Sequence, residues 1–167
     1  MRFVVFADSG CNLPQRKLQE LGIEVVPFSY ELDGELIVCP EYPDGFDGQS
    51  YYNRLRQGAQ VKTSLINAEA FYQAFRPVVE AGKDVLYVGI SSGISGTVAA
   101  ANMAAQQLME EYPQRQVVVV DSMGAGLGTG ILTCKAADYS IADMDIRAAE
   151  EQLIIYNALN TTYGNRN

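Results

Sequence analysis

The chain has 167 residues, 48% of them hydrophobic, enough for one domain with a real core and too apolar for a disordered polypeptide. Twelve Lys and Arg against twenty Asp and Glu give a net charge of -8, a balance that repels nucleic-acid backbones and anionic membrane surfaces. Histidine is absent, and Cys11, Cys39 and Cys134 are odd in number with no CxxC pair, so neither a disulfide framework nor an ordinary zinc site is suggested.

The N-terminal apolar run, Phe3 to Ala7, is too short for a signal peptide, and no run approaches a membrane span. The cytoplasm is the expected location. Phe3 to Ala7, Ile23 to Phe28, Val85 to Ile90 and Val117 to Val120 read as strands buried on both faces, as in a parallel sheet covered by helices. Asn12 is the expected cap of a first helix that opens with Pro14 and stops at Gly22. "YELDGELIV", Tyr30 to Val38, carries a hairpin signal at Asp33-Gly34. "PEYPDGFDG", Pro40 to Gly48, follows as a loop whose carboxylates shape turns.

Phe71, Phe75, Val78 and Val79 mark a helix from about Ala68 to Ala81, capped by Asn67, ended by Gly82 and disturbed by Pro77. Ala101, Ala105, Leu108 and Tyr112 give the next helix its inner stripe, and Ile146, Ala149 and Leu153 give the last. The alternation predicts an α/β fold: an open, mainly parallel sheet with helices on both faces, in three α/β/α layers.

Ligands of such sheets bind beyond the carboxyl ends of the strands. Asp8-Ser9, the "GISSGISGT" stretch from Gly89 to Thr97, and Asp121-Ser122 all fall there. Asp and Ser at such positions also cap helices and shape turns, and Ser95 is the expected cap of the helix that follows. A helix start offers unpaired amides, and serine hydroxyls donate hydrogen bonds without a counter-charge, so the expected guest is an anion such as a carboxylate or phosphate. The GxxxxGK[ST] pattern of a nucleotide loop is missing, and no histidine is present to activate Ser92 as a nucleophile. Thr63 and Ser64 form a second hydroxyl pair, with Thr63 a candidate turn cap. Gly124, Gly126, Gly128 and Gly130 recur at every second position, and each costs about 1 kcal/mol against Ala within a helix, so close packing or room for a slender guest is expected there.

"ADSGCNLP" (Ala7 to Pro14), "LGIEVVPFSYELDGE" (Leu21 to Glu35), "KTSLINAEAFYQAF" (Lys62 to Phe75), "SSGISGTVAAANMAA" (Ser91 to Ala105) and "VVDSMGAGLGTG" (Val119 to Gly130) together resemble the DegV family of bacterial fatty-acid-binding proteins. The resemblance covers Met1 to about Tyr156. It implies a cytoplasmic carrier of one long-chain fatty acid, with no catalytic residue, no metal and no cofactor besides the bound lipid. Thr63 and Ser92 would hold the carboxylate, with Ser64, Ser91, Gly93 and Ser95 beside them and Asp8, Ser9, Asp121 and Ser122 in support. A separate ATP-dependent fatty acid kinase would phosphorylate the bound carboxylate.

Residues 1–157 are expected to form the family's N-terminal α/β domain. The polar stretch 158–167 reads as a disordered or foreign tail, with the family's second domain absent. Such a truncation would impair binding or expose an apolar surface open to self-association. Two alternatives stand beside the carrier reading. One is a small enzyme acting on a phosphorylated or carboxylated metabolite, with Asp8 or Asp121 as acid or base; the other is a non-binding, associating remnant.

Overall fold

The computed structural model describes residues 1–40 and 43–164, with side chains described through residue 159. In chain order the elements are β1 (Phe3–Asp8), α1 (Gln15–Leu21), β2 (Ile23–Val26), β3 (Ser29–Leu32), β4 (Glu35–Val38), α2 (Gly48–Arg56), β5 (Val61–Ser64), α3 (Ala68–Glu80), β6 (Asp84–Gly89), α4 (Thr97–Glu111), β7 (Val117–Asp121), α5 (Leu127–Ile141) and α6 (Ile146–Gly164). Four parallel strands form the main sheet in the order β2-β1-β6-β7. A second, antiparallel sheet runs β4-β3-β5.

Alternation along β1 explains the layers. Phe3, Val5 and Ala7 face one core, shared with Leu18 of α1, Leu132 and Ala136 of α5, and Ile146 and Leu153 of α6. Phe6 faces the other, shared with Phe71, Phe75 and Val79 of α3 and Ala101, Ala105 and Leu108 of α4. Both faces of the sheet are therefore dry, as the β-branched runs require.

The expected α/β/α architecture is present, with four differences in detail. β2 stops at Val26, two residues early, because Pro27 has no amide to continue the ladder. β2 is also an edge strand with Glu24 exposed, so it is not buried along its length. Asn12 does not cap α1: it sits at φ 51 and closes a short 3-10 turn, Ser9–Cys11, while Pro14 holds the cap position. α3 runs continuously past Pro77, which lies in its last turn: the Gln73 carbonyl loses its intrahelical donor, but only three helical residues follow.

The Asp33-Gly34 turn forms as expected, with φ 53 and φ 86, both in the left-handed region that such hairpin turns need. Asn67 caps α3 by accepting from the Ala70 amide at 2.9 Å. Asp47, in the expected loop, caps α2 by accepting from Ser50 at 3.0 Å; Glu41 and Tyr42 of that loop lie outside the described residues. α6 continues to Gly164, across the boundary expected at residue 157, and residues 165–167 lie outside the described residues.

Candidate functional site

The three polar clusters do converge at the carboxyl edge of the parallel sheet, and most of their groups are spent on backbone. Asp8 is fully buried. Its Oδ2 accepts from the Tyr87 hydroxyl at 2.7 Å and the Ile90 amide at 2.9 Å, and its Oδ1 accepts from the Gly10 amide at 3.0 Å. Burial pushes the Asp8 carboxyl above its ordinary range, against the opposing pull of the Ile90, Tyr87 and Gly10 hydrogen bonds. Burial and the Asp8 charge together push the Tyr87 phenol well above its usual value. The neighbouring Cys11 thiol is pushed up to about 11, chiefly by burial, and so stays protonated and unreactive. Ser9 accepts from the Phe28 amide at 3.0 Å, tying the end of β1 to the segment after β2.

In the loop after β6, the Ser91 hydroxyl accepts from the Gly93 amide at 3.1 Å, and its carbonyl accepts from Ile94 and Ser95 at 3.1 and 3.2 Å. Ser92 donates its amide to both oxygens of Asp121, at 3.2 and 3.3 Å. Asp121 also accepts from Met123 at 2.9 Å, so it braces two loops. Ser95 is one residue ahead of the cap position, which Gly96 occupies. Its hydroxyl accepts from the Thr97 amide at 3.3 Å and shares a 2.7 Å hydrogen bond with the Thr97 hydroxyl. The Ser122 hydroxyl shares a 2.9 Å bond with Thr129 and meets the Gly124 backbone at 3.2 Å.

Thr63, Ser64 and Ser92 are different. Among the described residues their side-chain hydroxyls form no hydrogen bond, and all three residues are exposed. Thr63 and Ser64 belong to a strand and not to a turn before α3: in β5 they stand opposite Tyr30 and Ser29 of β3. They line a cleft of about 500 Å³ with Ser29 and Ser95, whose remaining wall is largely apolar: Phe28, Tyr30, Tyr51, Leu65, Ile90 and Ile94. Among the described residues, no charged side chain lines it. The volume is that of a small-molecule site. Ser91, Ser92 and Gly93 are not part of this lining; Ser92 sits on the exposed loop two residues before Ile94.

Phe28, Tyr30, Tyr51 and Leu65 escaped the sequence reading. The signal available was the alternation in "PFSYEL", which places Phe28, Tyr30 and Leu32 on one side of an extended segment. Tyr51 had no such signal; it reaches the site through an edge-on contact with Tyr30, ring centroids 5.5 Å apart.

The glycines after β7 divide between the two expected uses. A Cβ on Gly130 would stand 2.6 Å from the Cys11 carbonyl oxygen, so α5 packs directly on the backbone after β1. Gly126 needs its freedom for φ +57. Gly124 and Gly128 instead line a second cavity of about 280 Å³ with Met123, Ile131 and Tyr156. Among the described residues there is no cluster of side chains that could hold a metal ion, and no helix is long and apolar enough to cross a membrane.

Fold and cleft together define an α/β domain with a hydroxyl-edged, apolar site at the carboxyl ends of parallel strands. The chain belongs to the DegV family: the family model described as "Uncharacterised protein, DegV family" matches residues 2–162. A DegV domain-containing protein of Clostridium perfringens is 34% identical over 140 residues, covering 81% of this chain and 46% of that one. A structure described as showing fatty acid binding of a DegV family protein from Thermus thermophilus superposes with a TM-score of 0.83 at 30% identity, covering 95% of this chain and 54% of that one. A stearic acid-binding protein from Eubacterium ventriosum superposes with a TM-score of 0.79 at 25% identity, covering 90% and 52%. The chain thus spans about half the length of the relatives it matches.

Proposed function

We propose that this chain is a cytoplasmic lipid-binding module that holds the carboxylate of a long-chain fatty acid and presents it to a separate fatty acid kinase. The observation that carries the reading is the cleft itself: unengaged hydroxyls on Thr63 and Ser64 edge a largely apolar wall with no charged side chain among the described residues. The head group is assigned to Thr63 in the cleft and, as the family resemblance implies, to Ser92 on the loop just outside the lining, with Ser64 and Ser95 flanking it. Hydrogen bonds to a charged group contribute about 1.5 to 3 kcal/mol each and set orientation. The acyl chain supplies most of the affinity, at about 0.8 kcal/mol per buried methylene.

Asp8 has no exposed surface, and Asp121 already accepts from the Ser92 and Met123 amides. Neither carboxylate lines the cleft, which favours a carrier over an enzyme using them as acid or base. Phosphoryl transfer then falls to the kinase, a partner implied by the family resemblance. The fatty-acid binding described for the Thermus and Eubacterium relatives supports the choice of ligand.

Extraction of the purified chain into organic solvent followed by mass spectrometry tests the reading. A stoichiometric long-chain fatty acid is expected. Its absence, together with a melting temperature raised by a sugar phosphate or nucleotide, would move the assignment to the enzyme alternative.

A further inference from the structure

Among the described residues Asp8 is the one buried carboxylate at this edge of the sheet, and both of its oxygens are committed to backbone that forms the cleft. Gly10 and Ile90, whose amides it accepts at 3.0 and 2.9 Å, both line the cleft. The contact is tight: a Cβ on Gly10 would fall 2.8 Å from Asp8 Oδ1. Tyr87 adds its hydroxyl at 2.7 Å from within the core. A negative charge therefore stands one peptide layer behind the wall of a site assigned to another negative charge.

Resting on the fatty-acid reading, we infer that Asp8 is a positioning residue that fixes the Gly10 and Ile90 wall, and that filling the cleft with a carboxylate draws a proton onto Asp8.

The groups around Asp8 leave it as the one that responds. From β6 it meets Tyr87, a donor held protonated far above neutrality. From the turn after β1 it meets Cys11, likewise protonated. Asp121 of β7 acts on Tyr87, and Cys134 of α5 on Cys11. β2 offers Val26 in register with Asp8. No cation is among these neighbours to hold Asp8 ionised when an anion arrives. An incoming carboxylate disfavours the ionised form of Asp8, and by reciprocity protonated Asp8 favours the incoming carboxylate.

Palmitate affinity of the full chain, measured from the ordinary aspartate value of 3.8 up to alkaline pH for wild type, Asp8→Asn and Tyr87→Phe, tests this. In wild type, affinity should fall as pH rises, by up to about tenfold per pH unit where Asp8 gives up its proton, the limit for one linked proton. Asp8→Asn offers one acceptor oxygen where the carboxylate offers two, so either Gly10 or Ile90 loses its partner, but with no titrating charge it should bind with a flat profile. Tyr87→Phe removes a hydrogen bond that favours the ionised form, so its profile should move to higher pH.

A lipid-free measurement separates this inference from the carrier reading. Because burial raises the folded-state pKa of Asp8, its contribution to stability is present at low pH and is lost as pH rises through that folded value. Wild type should therefore lose melting temperature with rising pH more steeply than Asp8→Asn. Parallel melting profiles, or parallel binding profiles where palmitate binds, overturn the Asp8 inference. Failure of wild type to bind palmitate at any pH, with diverging melting profiles, overturns the carrier reading and the linkage to ligand, and leaves the brace standing.

Discussion

The parallel sheet and the small antiparallel sheet handle their polar side chains in opposite ways. At the carboxyl edge of the parallel sheet, Asp8, Ser9, Ser91, Ser95, Asp121 and Ser122 all bond to main chain or to one another. On β5 of the small sheet, the hydroxyls of Thr63 and Ser64 form no hydrogen bond among the described residues. Burial differs too: β6 is buried from Val85 to Gly89, whereas on β5 Lys62, Thr63 and Ser64 are exposed. One region spends most of its polar groups in holding its own loops, with the exposed Ser92 hydroxyl the exception. The other presents hydroxyls with capacity to spare, and these, with Ser92, are the partners open to a ligand.

Substitutions can break that contrast. Phe71→Ala, deep beneath the main sheet, should cost about 3–5 kcal/mol in urea unfolding, as for other large core truncations. A loss below about 1 kcal/mol would mean that the frame is softer than its burial implies. Ile94→Asp places a carboxylate on the cleft wall at an exposed position, 66% accessible. Fatty-acid binding should weaken by about 1–4 kcal/mol from charge repulsion while the unfolding midpoint stays in place. Gly130→Ala forces a Cβ toward the Cys11 carbonyl and should destabilise by about 1–3 kcal/mol. Gly128→Ala, where a Cβ meets nothing within 4 Å, should gain up to about 1 kcal/mol from helix propensity. Equal effects from the two alanines would remove the packing account of these glycines.

How much could be read beforehand follows the same divide. β1, β6 and β7 are legible because burial on both faces leaves apolar runs, and β2 is legible despite Glu24 because Ile23, Val25 and Val26 still read as a strand; the ends of all four fall within two residues of expectation. Asn67, Gly22 and the Asp33-Gly34 turn are legible because each satisfies a local backbone need. β5 is not legible: "VKTS" is four residues long with three exposed, and its strand character comes from pairing with β3, whose partners lie 29 to 35 positions earlier in the chain. α2 is hidden for a related reason, since none of its residues is fully buried and it rests on Tyr51 and on Arg54 facing Asp33 and Glu35. Asn12 misled because the same side chain that favours a cap also tolerates the left-handed conformation it adopts. At the site, the free hydroxyls could not be told from the engaged ones by residue type. Ser91, Ser92 and Ser95 share one short loop, and only the fold shows that Ser91 and Ser95 spend their hydroxyls locally.

The affinity of palmitate for wild type and for the Thr63→Ala/Ser92→Ala double variant, measured alongside unfolding, tests the central claim most directly. Loss of two charge-assisted hydrogen bonds should weaken binding by on the order of 100-fold or more. Stability should stay within about 0.5 kcal/mol, because both residues are exposed and their hydroxyls brace nothing. Equal affinity in the two proteins would contradict the assignment of these hydroxyls to the carboxylate.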